Sequence, residues 1–121
     1  MQSLNAETQD ARGCTVDAFH AVRATTERLV QRLTPDDCMV QSMPDASPVK
    51  WHLAHTSWFF EQFILGPAGV APFDERYAAL FNSYYVGAGT RHPRARRGDL
   101  SRPPLDEVLA YRRHVTRAVA D

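Results

Sequence analysis

Long apolar runs are missing from this chain: no stretch approaches the roughly 18 consecutive apolar residues that a bilayer-crossing helix needs. The polar opening MQSLNAETQDARG has neither the basic start nor the apolar centre of a secretion signal. Cysteine is scarce as well. Cys14 and Cys38 are the only two and stand outside any CxxC pattern, so a secreted, disulfide-stapled scaffold is not expected and the cytoplasm, where thiols stay reduced, is the default setting. Charge of one sign is absent too. Fourteen basic residues balance fourteen acidic ones, which removes any global attraction to nucleic acid or anionic membrane and leaves only local patches to consider. Lysine is nearly missing, since Lys50 is the only one; a GC-rich genome explains that as readily as chemistry, and it carries no functional weight. Neither an internal repeat nor a low-complexity tract is present. At 121 residues, with 44% hydrophobic and 23% charged, the composition is that of one small globular domain.

The richest stretch runs from Ser47 to Leu65, SPVKWHLAHTSWFFEQFIL. Ser47 suits an N-cap, Pro48 suits the first helical position, and Gly66-Pro67 ends the segment. At about 100° per residue, Trp51, His55, Phe59 and Gln62 share one side with His52 beside them, while Leu53, Phe60 and Ile64 point the other way. Such a helix must be covered on more than one side. Burying Trp51, Trp58, Phe59 and Phe60 at roughly 1.5–3 kcal/mol each would contribute on the order of 6–12 kcal/mol before entropy is subtracted.

Elsewhere the periodicity predicts an amphipathic helix over about 15 to 33, through Phe19, Val22, Thr26, Leu29, Val30 and Leu33, after a flexible polar segment 1–13. Thr34-Pro35-Asp36-Asp37 ends it. The connection to Ala46 offers Met39, Val40 and Met43 as covers for one end of a bundle. Beyond Gly66 a stretch of nearly forty residues holds one short helix near Asp74 to Phe81. Pro103-Pro104 then starts a last amphipathic helix through Leu105, Val108, Leu109, Arg112, Val115 and Val119, with Asp106 and Glu107 at its positive end. A connection this long is functional or disordered more often than structural. Its Phe81, Tyr84 and Tyr85 suit packing or ligand contact, and Gly87, Gly89 and Gly98 allow backbone conformations other residues avoid.

Two groups of residues carry candidate chemistry. His52 and His55 are three apart on an otherwise apolar helix. Each reads either as a neutral core imidazole bonded to a carbonyl or to Glu61, or as a metal ligand behind an apolar wall. Spacing alone does not choose. The segment RHPRARRGDLSRP, residues 91 to 103, gathers Arg91, Arg94, Arg96, Arg97 and Arg102. It reads as a solvated basic loop or as a site for carboxylate or phosphate, which guanidinium forks bind bidentately. Aromatic interleaving is absent from it, which counts against a nucleic-acid patch.

The run MVQSMPDASPVKWHLAHTSWFFEQFIL, followed by LFNSYYVGAGTRHPRARRGDLSRPPLDEVLAYRRHV, closely resembles the N-terminal DinB-like domain of the iron-dependent sulfoxide synthases of ergothioneine biosynthesis. The similarity covers the chain from about Leu33 onward. It implies an all-α fold, a DinB-like four-helix bundle that is incomplete here: three main helices and a long crossover within residues 14–121, with the last helix missing. It further implies that His55 is one of three ligands to Fe(II), with His52 in a supporting or packing role. Arg94 and Arg97 would bind the carboxylates of γ-glutamylcysteine. The reaction implied is the O₂-dependent joining of a cysteine-derived thiol, γ-glutamylcysteine or cysteine, to trimethylhistidine, giving a sulfoxide. The family draws its other two ligands from an H-E-x-Q-H-like motif, which is not in this chain: His20, His92 and His114 form no such pair. A non-haem iron site needs about three protein ligands, so the chain reads as a truncated piece, inactive alone, without the domain that supplies the family's catalytic tyrosine. Tyr84 and Tyr85 do not take that role. On this reading Arg97→Ala in a complete enzyme should weaken thiol-substrate binding far more than it changes folding.

Two other readings stand beside it. One is a non-catalytic helical module or remnant, which would pair with a partner chain or a second copy through the apolar stripe of an unfinished bundle. The other is a metal-dependent DinB-like thiol transferase, zinc-dependent for instance, which also needs a histidine triad.

Overall fold

The computed structural model describes residues 2–83 and 92–121, with side chains from Thr15 onward. Among them the secondary structure is helical, with one isolated bridge between Met43 and Ala46 and no strand. The all-α expectation holds. The chain divides into two compact units, Met1–Arg32 and Leu33–Asp121.

The first unit is one helix, α1, Gln2–Val30. It begins well before the start near residue 15 that apolar spacing suggested, because Gln2 to Ala11 contain neither glycine nor proline to interrupt it. Near its end Thr25 and Thr26 return their hydroxyls to the carbonyls of Ala21 and Val22, and Arg28 Nη2 donates to Thr25 Oγ1 at 3.0 Å. The Arg23 guanidinium lies 5.4 Å from the Phe19 ring centroid, an i, i+4 cation–π pair.

The second unit opens with a reciprocal box: Thr34 N donates to Asp37 Oδ2 and Asp37 N to Thr34 Oγ1. It leads into a 3₁₀ turn, Asp37–Met39, that buries Cys38. Val40 and Met43 stay 63% and 53% exposed. The cover expected of them comes instead from Cys38, which the tight turn directs inward.

Helix α2 spans Val49–Phe60 and continues as a π turn, Glu61–Leu65, closed by Gly66 N donating to Glu61 O at 2.8 Å. Pro48, not Ser47, occupies the N-cap, and no side chain caps the end. Trp51, Leu53, Trp58 and Leu65 are buried, whereas Phe59 is 37% and Ile64 47% exposed and Phe60 is half-buried. The expected burial of Phe59 and Phe60 is thus corrected. Leucines 53 and 65 take their place, and the estimate of on the order of 6–12 kcal/mol stands on different residues. The π turn contributes to this outcome. Its wider i to i+5 winding rotates the residues after Phe60 away from a strict 100° step and turns Leu65 inward.

Helix α3, Tyr77–Phe81, follows an Asp74 turn in which Arg76 N and Tyr77 N bond back to Asp74. A 3₁₀ turn, Arg94–Asp99, precedes α4, Leu105–Ala120. Val108, Tyr111, Arg112 and Val115 are the buried stripe of α4, at i, i+3, i+4 and i+7. The main helix interface is between α2 and α4. Two polar links cross it: Arg112 Nη1 donates to Leu53 O at 2.9 Å and to Thr56 Oγ1 at 2.7 Å, and Tyr111 Oη donates to Glu61 Oε1 at 3.0 Å. Tyr77, Phe81 and Tyr111 complete the core, and Phe73, 38% exposed, packs on its edge, with ring centroids 4.9–6.0 Å apart. Tyr84, Tyr85, Gly87, Gly89 and Arg91 lie outside the described residues.

Candidate functional site

Trp51, His55 and Trp58 sit at i, i+4 and i+7 of α2, a spacing that stacks side chains one above the next. Their rings form a column. The His55 imidazole lies 4.6 Å from the Trp51 ring at an interplanar angle of 11°, and 5.4 Å from the Trp58 ring at 19°. His52, one step around the helix, is exposed and meets Trp51 edge-on at 5.3 Å.

The C-terminal end of α3 fixes this column from the side. The last carbonyls of a helix lack intrahelical partners, and two of them take donors from α2. Trp51 Nε1 donates to Leu80 O at 3.0 Å, and His55 Nδ1 lies 2.6 Å from Phe81 O. A carbonyl has no proton to give, so Nδ1 carries the hydrogen and Nε2 holds the lone pair. This is the arrangement in which a ligating histidine is held by the bond its other nitrogen makes.

The arginine turn reaches the same column. Arg97 is 4% exposed, with its guanidinium carbon 3.6 Å from the Trp51 ring centroid and Nη1 donating to Ser47 Oγ at 2.8 Å. Ser47, expected to cap α2, holds Arg97 instead. Arg94 is half-buried, and its carbonyl accepts from Gln41 Nε2 at 2.8 Å. Lys50 is buried with Nζ donating to Leu100 O at 2.7 Å, which ties the exit of the arginine turn to the first turn of α2.

The electrostatics follow from this packing. Loss of water holds the His55 imidazole below its ordinary 6.5; the Phe81 bond opposes the shift and the Arg97 cation adds to it. His52 is lowered by partial desolvation, then by His55 and Arg97. Burial likewise lowers the Lys50 ammonium, with Arg102 beside it, and raises the Cys38 thiol, with Asp37 beside it. The site is therefore a neutral imidazole column under a buried cation.

Within the second unit the structure brings His55, His52 and Arg97 around Trp51 and leaves His92 and His114 with other partners. His92 Nε2 is 3.0 Å from Arg96 O, and His114 packs its ring 5.3 Å from Phe73. No group of three histidine, cysteine or acidic side chains that could hold a metal occurs among the described residues. His55 thus fits one ligand position, and a full ligand set is not found among those residues. Sequence reasoning missed Ser47, Trp51 and Gln41 as parts of the site. The WxxxH spacing was a usable signal for Trp51; Ser47 and Gln41 act on partners 50 to 57 residues away and had none.

Among the described residues no helix is long and apolar enough to cross a membrane. Comparison with protein families matches residues 18–121 to the model described as DinB superfamily. No curated protein matches the chain.

Proposed function

The chain belongs to the DinB superfamily, and from that premise we propose that it is the histidine- and arginine-bearing part of a cytoplasmic iron(II)- and O₂-dependent sulfoxide synthase of the ergothioneine type. The observation that carries this reading is His55. Its Nδ1–H is spent on Phe81 O at 2.6 Å and its ring is stacked between two indoles, so the Nε2 lone pair is directed and kept unprotonated. Iron bound there would supply redox activation of O₂ and of a coordinated thiol. What the chain's own residues do is narrower. Trp51 and Trp58 exclude water from the imidazole and fix its plane. Arg97, held by Ser47 and Trp51, places a cation beside it, and with Arg94 it forms the carboxylate-binding end for γ-glutamylcysteine or cysteine. Trimethylhistidine is the sulfur acceptor on this reading.

Imidazole-resolved NMR on the full chain, with Fe(II) added anaerobically, tests it. His55 should be a neutral Nδ1–H tautomer whose Nε2 signal responds to metal more strongly than any other imidazole nitrogen. His55→Ala should abolish the response and His52→Ala preserve it. A response centred on His52, or none at His55, would overturn the reading.

A further inference from the structure

The turn that carries Arg94 and Arg97 is held at both ends by one side chain. Gln41 Nε2 donates to Arg94 O at 2.8 Å, and Gln41 Oε1 accepts from Gly98 N at 2.6 Å. A carboxamide presents a donor and an acceptor in one planar fork, so a single group bridges the start of the turn and its fifth residue. Gly98 belongs to the same device. A Cβ at that position would stand 2.8 Å from Gln41 Cβ and 2.9 Å from Oε1, closer than packed atoms tolerate, so only glycine lets the carboxamide seat.

In a 3₁₀ turn the side chains at i and i+3 lie on one face, so Arg94 and Arg97 leave the turn on the same side. Arg97 is anchored further by Ser47 and Trp51, and Leu100 O by Lys50. Arg94 has a different support: the grip of Gln41 on its backbone carbonyl. Resting on the carboxylate-binding reading above, we infer that Gln41 is a positioning residue. It clamps the arginine turn so that Arg94 and Arg97 match a ligand with two carboxylates in preference to one with a single carboxylate. It touches no substrate and acts through Arg94.

The test is titration of the full chain with γ-glutamylcysteine, which has two carboxylates, and with cysteine, which has one, followed by NMR. The unsubstituted chain should bind the dipeptide more tightly. Gln41→Met keeps the length and loses the fork, and should weaken dipeptide binding on the order of tenfold while changing cysteine binding much less. Gly98→Ala should reproduce this by pushing the carboxamide out. Gln41→Glu, which accepts from Gly98 N and has nothing to give Arg94 O, should fall between, and it serves if Gln41→Met does not fold. In an Arg94→Ala background Gln41→Met should cost nothing further, because two residues that act through one contact are non-additive. An unchanged preference, an equal loss for both ligands or full additivity would overturn the role of Gln41 and leave the carboxylate reading intact. Absence of saturable dipeptide binding by the unsubstituted chain would overturn that reading, and the clamp with it.

Discussion

Tyr111→Phe removes one hydroxyl and nothing else. Tyr111 is fully buried, and its Oη donates to Glu61 Oε1 at 3.0 Å; the other carboxylate oxygen accepts from Phe73 N at 3.0 Å. Glu61 is itself only 8% exposed and joins the π turn, the loop before α3 and the middle of α4. The phenylalanine ring keeps the contacts of the tyrosine ring with Phe73 and Tyr77 at 5.4 and 4.9 Å, so no cavity forms. The cost is then that of a buried hydrogen bond to a charged acceptor, about 1.5–3 kcal/mol, with the carboxylate left on one partner. In a domain of this size each kcal/mol lowers Tm by about 4–8 °C. Urea unfolding at pH 7 should show the midpoint falling with an unchanged slope. A loss below about 0.5 kcal/mol would refute the reasoning, since that is the range of surface substitutions. A changed slope would show that the denatured state, not the carboxylate, was altered.

Three further outcomes follow from the same physics. His52 and His55 both sit below 6.5 in the folded chain, so between that value and their folded values the unfolded chain binds more protons. Their contribution to stability is complete above pH 6.5 and is lost as pH falls through the folded values; Tm should drop on acidification, less steeply in a His52→Gln/His55→Gln chain, and equal slopes would count against the shifts. Burial, with Glu107 and Asp74 beside it, pushes the Tyr77 phenol from 10.0 up to about 12; its contribution is complete below pH 10 and fades as pH rises toward 12, so tyrosinate absorbance should show a late-titrating phenol whose share Tyr77→Phe removes. Arg97→Ala should cost about 1–3 kcal/mol of stability, through the cation–π contact with Trp51 and the bond to Ser47, whereas Arg94→Ala should weaken carboxylate binding with little change in unfolding; equal stability of the two variants would refute this division.

That last outcome revises the simpler expectation from sequence, in which Arg97→Ala affects ligand binding far more than folding. A surface guanidinium contributes little to stability. At 4% exposure, stacked on an indole, Arg97 is part of the core as well as of the site. The cleaner probe of the carboxylate function is Arg94.

Local sequence determined the elements. Gly66-Pro67, Pro103-Pro104 and the three- and four-residue apolar steps mark where α2 and α4 run, because helix ends and periodicity depend on neighbours a few residues away. That Trp51 and His55 share one side of α2 was legible for the same reason, being set by 3.6 residues per turn; that Trp58 completes their column was not read from it. The short apolar runs likewise excluded a bilayer-crossing helix. Tertiary structure decided the rest. Which nitrogen of His55 keeps its lone pair depends on the Phe81 carbonyl, 26 residues away. Whether Ser47 caps a helix or holds an arginine depends on Arg97, 50 residues away. That Gln41 grips the arginine turn, and that position 98 accepts only glycine, depends on two loops meeting. No local propensity encodes such pairings, since each becomes favourable only when packing of α2 against α3, α4 and the arginine turn has already met the entropy cost of bringing distant backbone together.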